Sequence, residues 1–278
     1  MVIKYRHFTV FIVYFLLIAG LLYAFFPVLW MFFVSLKSNT EIFSLPPRLL
    51  PKVFTLKPYI SIFLSPFKLR FFLNSYLVAV SVTALTLFIA ILSGFGFSRY
   101  KFRFKRILNL LIIATQTVPP ITLLIPYFGI VVMLRLYDTY FALILTYMVF
   151  TLPYAILMMT GYFNTMPKEL DEAVMVDGGS SFFALWRVLV PNAVPGIVAT
   201  GVYTFLLSWN EFLFALTLTK STEMRTVPIG IQQLMGQHAY EWNEMMAMGI
   251  LGSFPILVLY LAAQRYFIAG MTSGAVKS

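Results

Sequence analysis

The chain has no cysteine, two histidines and only ten acidic residues in 278 positions. The lack of cysteine excludes disulfides, thiolate metal sites and cysteine nucleophiles. His7 and His238 are too few for a histidine-rich metal centre. No Gly-x4-Gly-Lys-Ser/Thr phosphate loop occurs, so the chain does not hydrolyse ATP by that route. Charge of either sign is scarce, with 11% charged against 60% apolar residues, where globular chains carry roughly 25% and 45–50%. Such an apolar excess cannot be hidden in a core of this size and must face lipid. The net charge of +10 is spread over short segments between apolar runs, a pattern of flanking charge on membrane spans rather than of nucleic-acid binding.

What is abundant is long apolar runs. Six approach or exceed the roughly 20 residues that cross a bilayer as a helix, at 8–36, 74–97, 107–134, 139–162, 193–219 and 245–264. They predict an all-α integral membrane protein of six transmembrane helices. The first run is too long for the apolar region of a signal peptide and reads as a retained helix. The dense basic segment SRYKFRFKR after the second run, with Arg99, Lys101, Arg103, Lys105 and Arg106, places that loop in the cytoplasm. Six spans then put both termini inside. Residues 37–72 are basic as well, but longer and rich in proline, and are expected to form an external cap. The expected divisions are 1–70 for the first helix and external loop, 71–267 for a five-helix core, and 268–278 for a cytoplasmic tail.

Acidic residues concentrate where the greasy pattern breaks. Glu169, Asp171, Glu172 and Asp177 are four of the ten in the chain. Pro167 suits a helix start, and Lys168 to Val176 reads as a short helix whose acids lie near its positive end. Leu170, Ala173, Val174 and Asp177 recur on one face. Gly178-Gly179 supplies a stop, Ser180 or Ser181 a cap for a second helix over 182–190, and Pro191 a break. An amphipathic helix lying on headgroups is usually basic on its polar face, so an acidic helix–turn–helix on the cytoplasmic side fits a protein partner better.

The stretch MPKELDEAVMVDGGSSFFALWRVLVPNAVP, residues 166–195, resembles the coupling loop of the membrane subunits of ATP-binding-cassette importers. That motif runs Glu-Ala-Ala, three residues, Gly, then nine residues to Ile-x-Leu-Pro. Glu172, Ala173, Asp177, Gly178 and Pro191 fall at matching positions. Val174 replaces the second alanine, Gly179 the alanine after the glycine, and Val190 the leucine before the proline. SWNEFLFALTL (208–218) and QRYFIAGMTSGAVKS (264–278) are similar to the carbohydrate-uptake branch, the maltose permease (MalG) type. The resemblance implies the type I importer permease fold, with a coupling loop at 166–191 whose Glu172, Ala173, Asp177, Gly178, Gly179 and Pro191 meet an ATPase. It implies as partners a homologous second permease subunit, two ATP-binding-cassette ATPase subunits, an extracytoplasmic solute-binding protein and a sugar. Glycerol-3-phosphate or another polyol is the alternative solute. No cofactor, catalytic residue or metal is implied. Membrane lipid surrounds the spans, and nucleic acid is not a partner.

Other residues are candidates for the translocation path. Glu211 is the only acid inside an expected span; with Asn210 it either lines the outer mouth of the path or is wetted near a helix end. Pro119 and Pro120 kink the third run, either as a plain bend or as a surface facing substrate. Gly94-x-Gly96 and Gly249-x-x-Gly252 suit close helix contacts. The external loop 220–244 holds Gln232, Gln233, Gln237, His238, Tyr240, Glu241, Trp242 and Glu244, residues that suit contact with a binding protein. His238-x-x-Glu241 lacks a third metal ligand. The tail is either a frayed end or, on the resemblance, a contact with the ATPases. An intramembrane hydrolase finds no nucleophile paired with a base, and a secondary transporter finds little to couple ions with.

Overall fold

The apolar runs fold as helices because backbone N–H and C=O groups in hydrocarbon must pair within the segment itself. The computed structural model describes residues 2–236 and 241–275, with side chains at 10–236 and 241–266, and every regular element among them is helical. Val10–Ser35, Pro66–Arg99, Tyr140–Thr165 and Trp242–Tyr266 are each long and apolar enough to cross a membrane. Two bent pairs bring the number up to six when each is counted as one span: Lys105–Thr115 with Pro120–Met133, bent by 95°, and Ser181–Asn192 with Val194–Trp209, bent by 78°. The first break falls at Pro119-Pro120, where two donors are missing.

The chain divides into two compact units. One comprises Met1–Lys68 and Ile231–Ser253. Several of its described polar residues pair with each other. Lys37, 3% exposed, reaches the Arg48 carbonyl and lies 5.3 Å from the Trp30 ring. The Lys68 ammonium pairs with Glu244 and donates to Ser61 Oγ at 2.9 Å. The second helix begins at Pro66 rather than at 74, and Lys68 lies in its first turn. Glu241 accepts from the Asn39 amide, and Asn243 donates to the Lys37 carbonyl at 3.1 Å. Two of the loop acids singled out in the sequence thus hold this unit together. Gln237, His238 and Tyr240 lie outside the described residues.

The other unit comprises Leu69–Gly230 and Phe254–Ser278. Its core has two clusters strung along the same pair of helices. Val78 and Val82 of one helix meet Leu143 and Tyr147 of the other, with Phe214 and Leu218. Further along, Ala90, Ile91 and Phe95 meet Ala155, Met159 and Phe163, joined by Leu185, Leu189 and Ala193. Gly94 sits at the closest approach: a Cβ there would stand 2.8 Å from Met159 Cβ. Gly96 has open space beside it and is not such a contact.

The fifth run is not one helix. Val194–Trp209 ends with Asn210 as its C-cap, and a separate helix, Leu213–Leu218, follows. Pro191 does not break its segment either. It sits at the start of Val190–Asn192, immediately after a π-helical turn over Leu185–Leu189, and the chain bends only beyond Asn192. A proline in the first turn of a helix lacks a donor that would have gone unpaired there. The last helix runs from Trp242 to Ala275, well beyond the expected end at 264.

Candidate functional site

The acidic segment forms a short helix, Glu169–Val176, with Glu169, Asp171 and Glu172 in its first turn, where the helix dipole favours negative charge. Its end is a Schellman closure. Gly179 N–H donates to the Val174 carbonyl at 2.9 Å and Gly178 N–H to the Met175 carbonyl at 3.1 Å, satisfying carbonyls that would otherwise be orphaned. Gly178 has φ +81°, the left-handed conformation that glycine adopts without a Cβ clash. Gly179 is needed for space: a Cβ there would lie 2.6 Å from Val174 Cγ1 and 3.0 Å from the Val174 carbonyl oxygen. Ser180, not Ser181, caps the next helix, its Oγ accepting from Phe183 N–H at 3.1 Å.

The four acids are not equivalent. Glu169, Glu172 and Asp177 are exposed, whereas Asp171 is 7% exposed. Arg99 Nε donates to Asp171 Oδ1 at 3.0 Å and stands 2.9 Å from Oδ2. The same guanidinium donates to the carbonyls of Phe163 at 3.0 Å, Met166 at 3.3 Å and Pro167 at 3.4 Å. Phe163 lies in the last turn of Tyr140–Thr165, where helix carbonyls lack intrahelical donors. One side chain therefore ties together the ends of two spans and the acidic helix. In the sequence Arg99 is merely one of five cations in SRYKFRFKR; the clue to its separate role is that it directly abuts the uncharged run.

The second half of the segment is anchored differently. Ala184, Leu185 and Leu189 are 0–1% exposed, and the two leucines enter the cluster of Phe95, Ile156, Met159 and Phe163. The outer surface is the reverse. Leu170, Met175, Val176, Phe182 and Phe183 are 36–86% exposed beside Glu169, Glu172 and Asp177. Ala173, Gly178 and Pro191 are exposed as well. Large apolar side chains thus stand beside three exposed acids on the outer face of the segment.

The candidate path residues lie elsewhere. Asn210 Nδ2 donates to the Leu206 carbonyl at 2.8 Å. Glu211 Oε1 and Oε2 accept from the N–H groups of Phe214 and Ala215 at 2.8 and 2.9 Å. Both polar groups close the break between two helices, and Glu211 caps the second of them. Pro119 and Pro120 are exposed at the 95° bend, where Thr122 Oγ1 donates to the Pro119 carbonyl at 2.7 Å.

Several long apolar helices, together with a firmly tethered short helix pair that exposes acidic and apolar side chains, define a polytopic membrane protein. The chain belongs to the family of binding-protein-dependent transport system inner membrane components, whose profile matches residues 86–273. It is therefore a multi-pass membrane permease subunit. It is 36% identical over 262 residues to the sulfoquinovosyl glycerol transport system permease protein SmoH of Agrobacterium fabrum, covering 94% of this chain and 90% of that one. It is 32% identical over 256 residues to the trehalose/maltose transport system permease protein MalG of Thermococcus litoralis, covering 91% of each. The fold is that of a bacterial ABC transporter involved in the import of the acidic polysaccharide alginate, with a TM-score of 0.81 over 94% of this chain and 97% of that one at 20% identity.

Proposed function

We propose that this chain is the membrane subunit of an ATP-driven carbohydrate importer. It forms half of the translocation path beside a homologous subunit, while ATP is hydrolysed by two docked ATPase subunits and an external binding protein delivers the solute. Relatives named for sulfoquinovosyl glycerol and for trehalose/maltose support a carbohydrate. The observation that carries the coupling role is the combination of exposure and anchorage in residues 166–191. Glu172, Asp177, Phe182 and Phe183 face outward, while Leu185 and Leu189 are locked into the span core. A push on the outer face is passed to Phe95, Met159 and Phe163 through close-packed side chains that cannot absorb it by compression. On this reading the segment and both termini are cytoplasmic, and the chain itself is not catalytic.

The test uses the assembled transporter in proteoliposomes. Charge reversal at Glu172, or Gly178→Pro at φ +81°, is expected to uncouple ATP hydrolysis from sugar uptake while membrane insertion is retained. Coupled uptake at the parental rate in both variants would reject the docking role.

A further inference from the structure

The segment between Pro66–Arg99 and the helix Lys105–Thr115 carries a groove of about 510 Å³. Lys101, Arg103, Lys105 and Arg106 line one part of it, and Leu110 and Ile113 another. Lys105, Arg106, Asn109, Leu110 and Ile113 follow at three- and four-residue spacing, so they form a single stripe from the basic end of the helix into its apolar run. None of the four cations is in an ion pair among the described residues. Lys105 donates only to the Tyr100 carbonyl, at 3.3 Å, and Arg103 lies 5.9 Å from the Phe104 ring. Phe102 and Phe104, just past the end of the Pro66–Arg99 helix, are 41% and 58% exposed. Asn109 lines the same groove, and its Oδ1 is buried without a hydrogen-bond donor.

Four unpaired cations at the mouth of a groove whose other wall is apolar match one class of ligand that a membrane supplies in abundance. We propose that this groove binds an anionic glycerophospholipid of the phosphatidylglycerol type. The phosphate lies against Arg103, Lys105 and Arg106, and an acyl chain runs along Leu110 and Ile113. A headgroup hydroxyl donates to the Asn109 amide oxygen after rotation of that amide. A zwitterionic headgroup brings its own cation to a wall that is already positive and is disfavoured. The choice of lipid over a soluble anion follows from the apolar wall, which inorganic phosphate leaves uncovered. The site rests on the membrane reading of the chain and not on the docking role of residues 166–191.

The test is native mass spectrometry of the purified transporter exposed to equal amounts of phosphatidylglycerol and phosphatidylcholine, with inorganic phosphate as a competitor. Retention of phosphatidylglycerol over phosphatidylcholine, undiminished by phosphate, is expected. Arg103→Gln/Arg106→Gln is expected to weaken that retention about fivefold per cation removed, roughly 30-fold for the pair. Arg103→Lys/Arg106→Lys is expected to keep it, which separates lost charge from misfolding. Equal retention of the two lipids, displacement by phosphate, or undiminished phosphatidylglycerol on the glutamine variant overturns the proposal. If the glutamine variant keeps its lipid and instead sheds the ATPase subunits, the face is a protein contact and the lipid site falls.

Discussion

Arg99 and Asp171, 72 positions apart in sequence, form an ion pair of 2.9 Å whose side chains are only 6% and 10% exposed. Removing one partner of a buried pair leaves the other charge uncompensated, at a cost of about 3 kcal/mol or more. Arg99→Gln and Asp171→Asn are each expected to lower unfolding stability in detergent by that order, and the double variant by less than the sum. Exposed Glu172→Gln is expected to stay within about 0.5 kcal/mol of the parent. A mild Asp171→Asn with a severe Glu172→Gln would invert this assignment.

Val174 and Gly179 replace two alanines of the motif that the segment resembles, and the two positions touch. Where the motif has two alanines, a larger residue here faces a smaller one, which offsets part of the added volume. Gly179→Ala alone is expected to cost about 1–3 kcal/mol through overpacking. Adding Val174→Ala to it should restore the part of the loss that comes from the Val174 Cγ1 clash, leaving the contact with the backbone carbonyl. Denaturation of the four species in a double-mutant cycle measures this, and an additive result would remove the compensation.

Glu211 tests the difference between a cap and a path residue. Glu211→Ala frees the Phe214 and Ala215 N–H groups and is expected to destabilise by about 1–2 kcal/mol, whereas Glu211→Gln keeps one acceptor and costs less. Thermal midpoints and solute uptake should fall together in the alanine variant. Lost uptake at an unchanged midpoint would instead favour direct contact with solute.

Asp138 stands just before the Tyr140–Thr165 span and accepts from the N–H groups of Lys220 and Ser221 at 2.8 and 3.1 Å. Partial burial raises its carboxyl, but these hydrogen bonds outweigh that effect and hold the pKa below the usual carboxylate value. Its contribution to stability is therefore present above the unfolded value of about 3.9 and is lost as pH falls through the lower folded one. Asp138→Asn keeps the tolerance for φ +63° but removes the charge. Its thermal midpoint should decline less than the parent's on acidification below about pH 4. Parallel midpoint curves for the two proteins would exclude Asp138 as a source of acid sensitivity.

The parts of this architecture that depend on local pattern were legible in the sequence. Six apolar runs, the glycine stop at Gly178 and a serine cap at Ser180 or Ser181 each follow from residues within a few positions of one another. The parts that depend on distant partners were not. Four clustered acids looked like one feature, yet Asp171 is separated from the others by an arginine in another helix. Glu211 fell within one continuous expected run because nothing around it marks a break; its own carboxylate caps the helix after the break. The surplus residue before Pro191 was equally hidden, since a π turn has no composition of its own.

That surplus residue sets an angle. A π turn inserts one residue into an α-helical path, and each residue advances the helix by about 100°. Leu185–Leu189 therefore acts as a clocking element. It fixes the direction in which Phe182 and Phe183 point relative to the core anchored by Leu189. Deleting a single residue from the turn would leave composition and hydrophobicity almost unchanged, yet would swing the outer face by about a quarter turn. Orientation of this outer face is thus written as a count of residues rather than as the identity of any one of them.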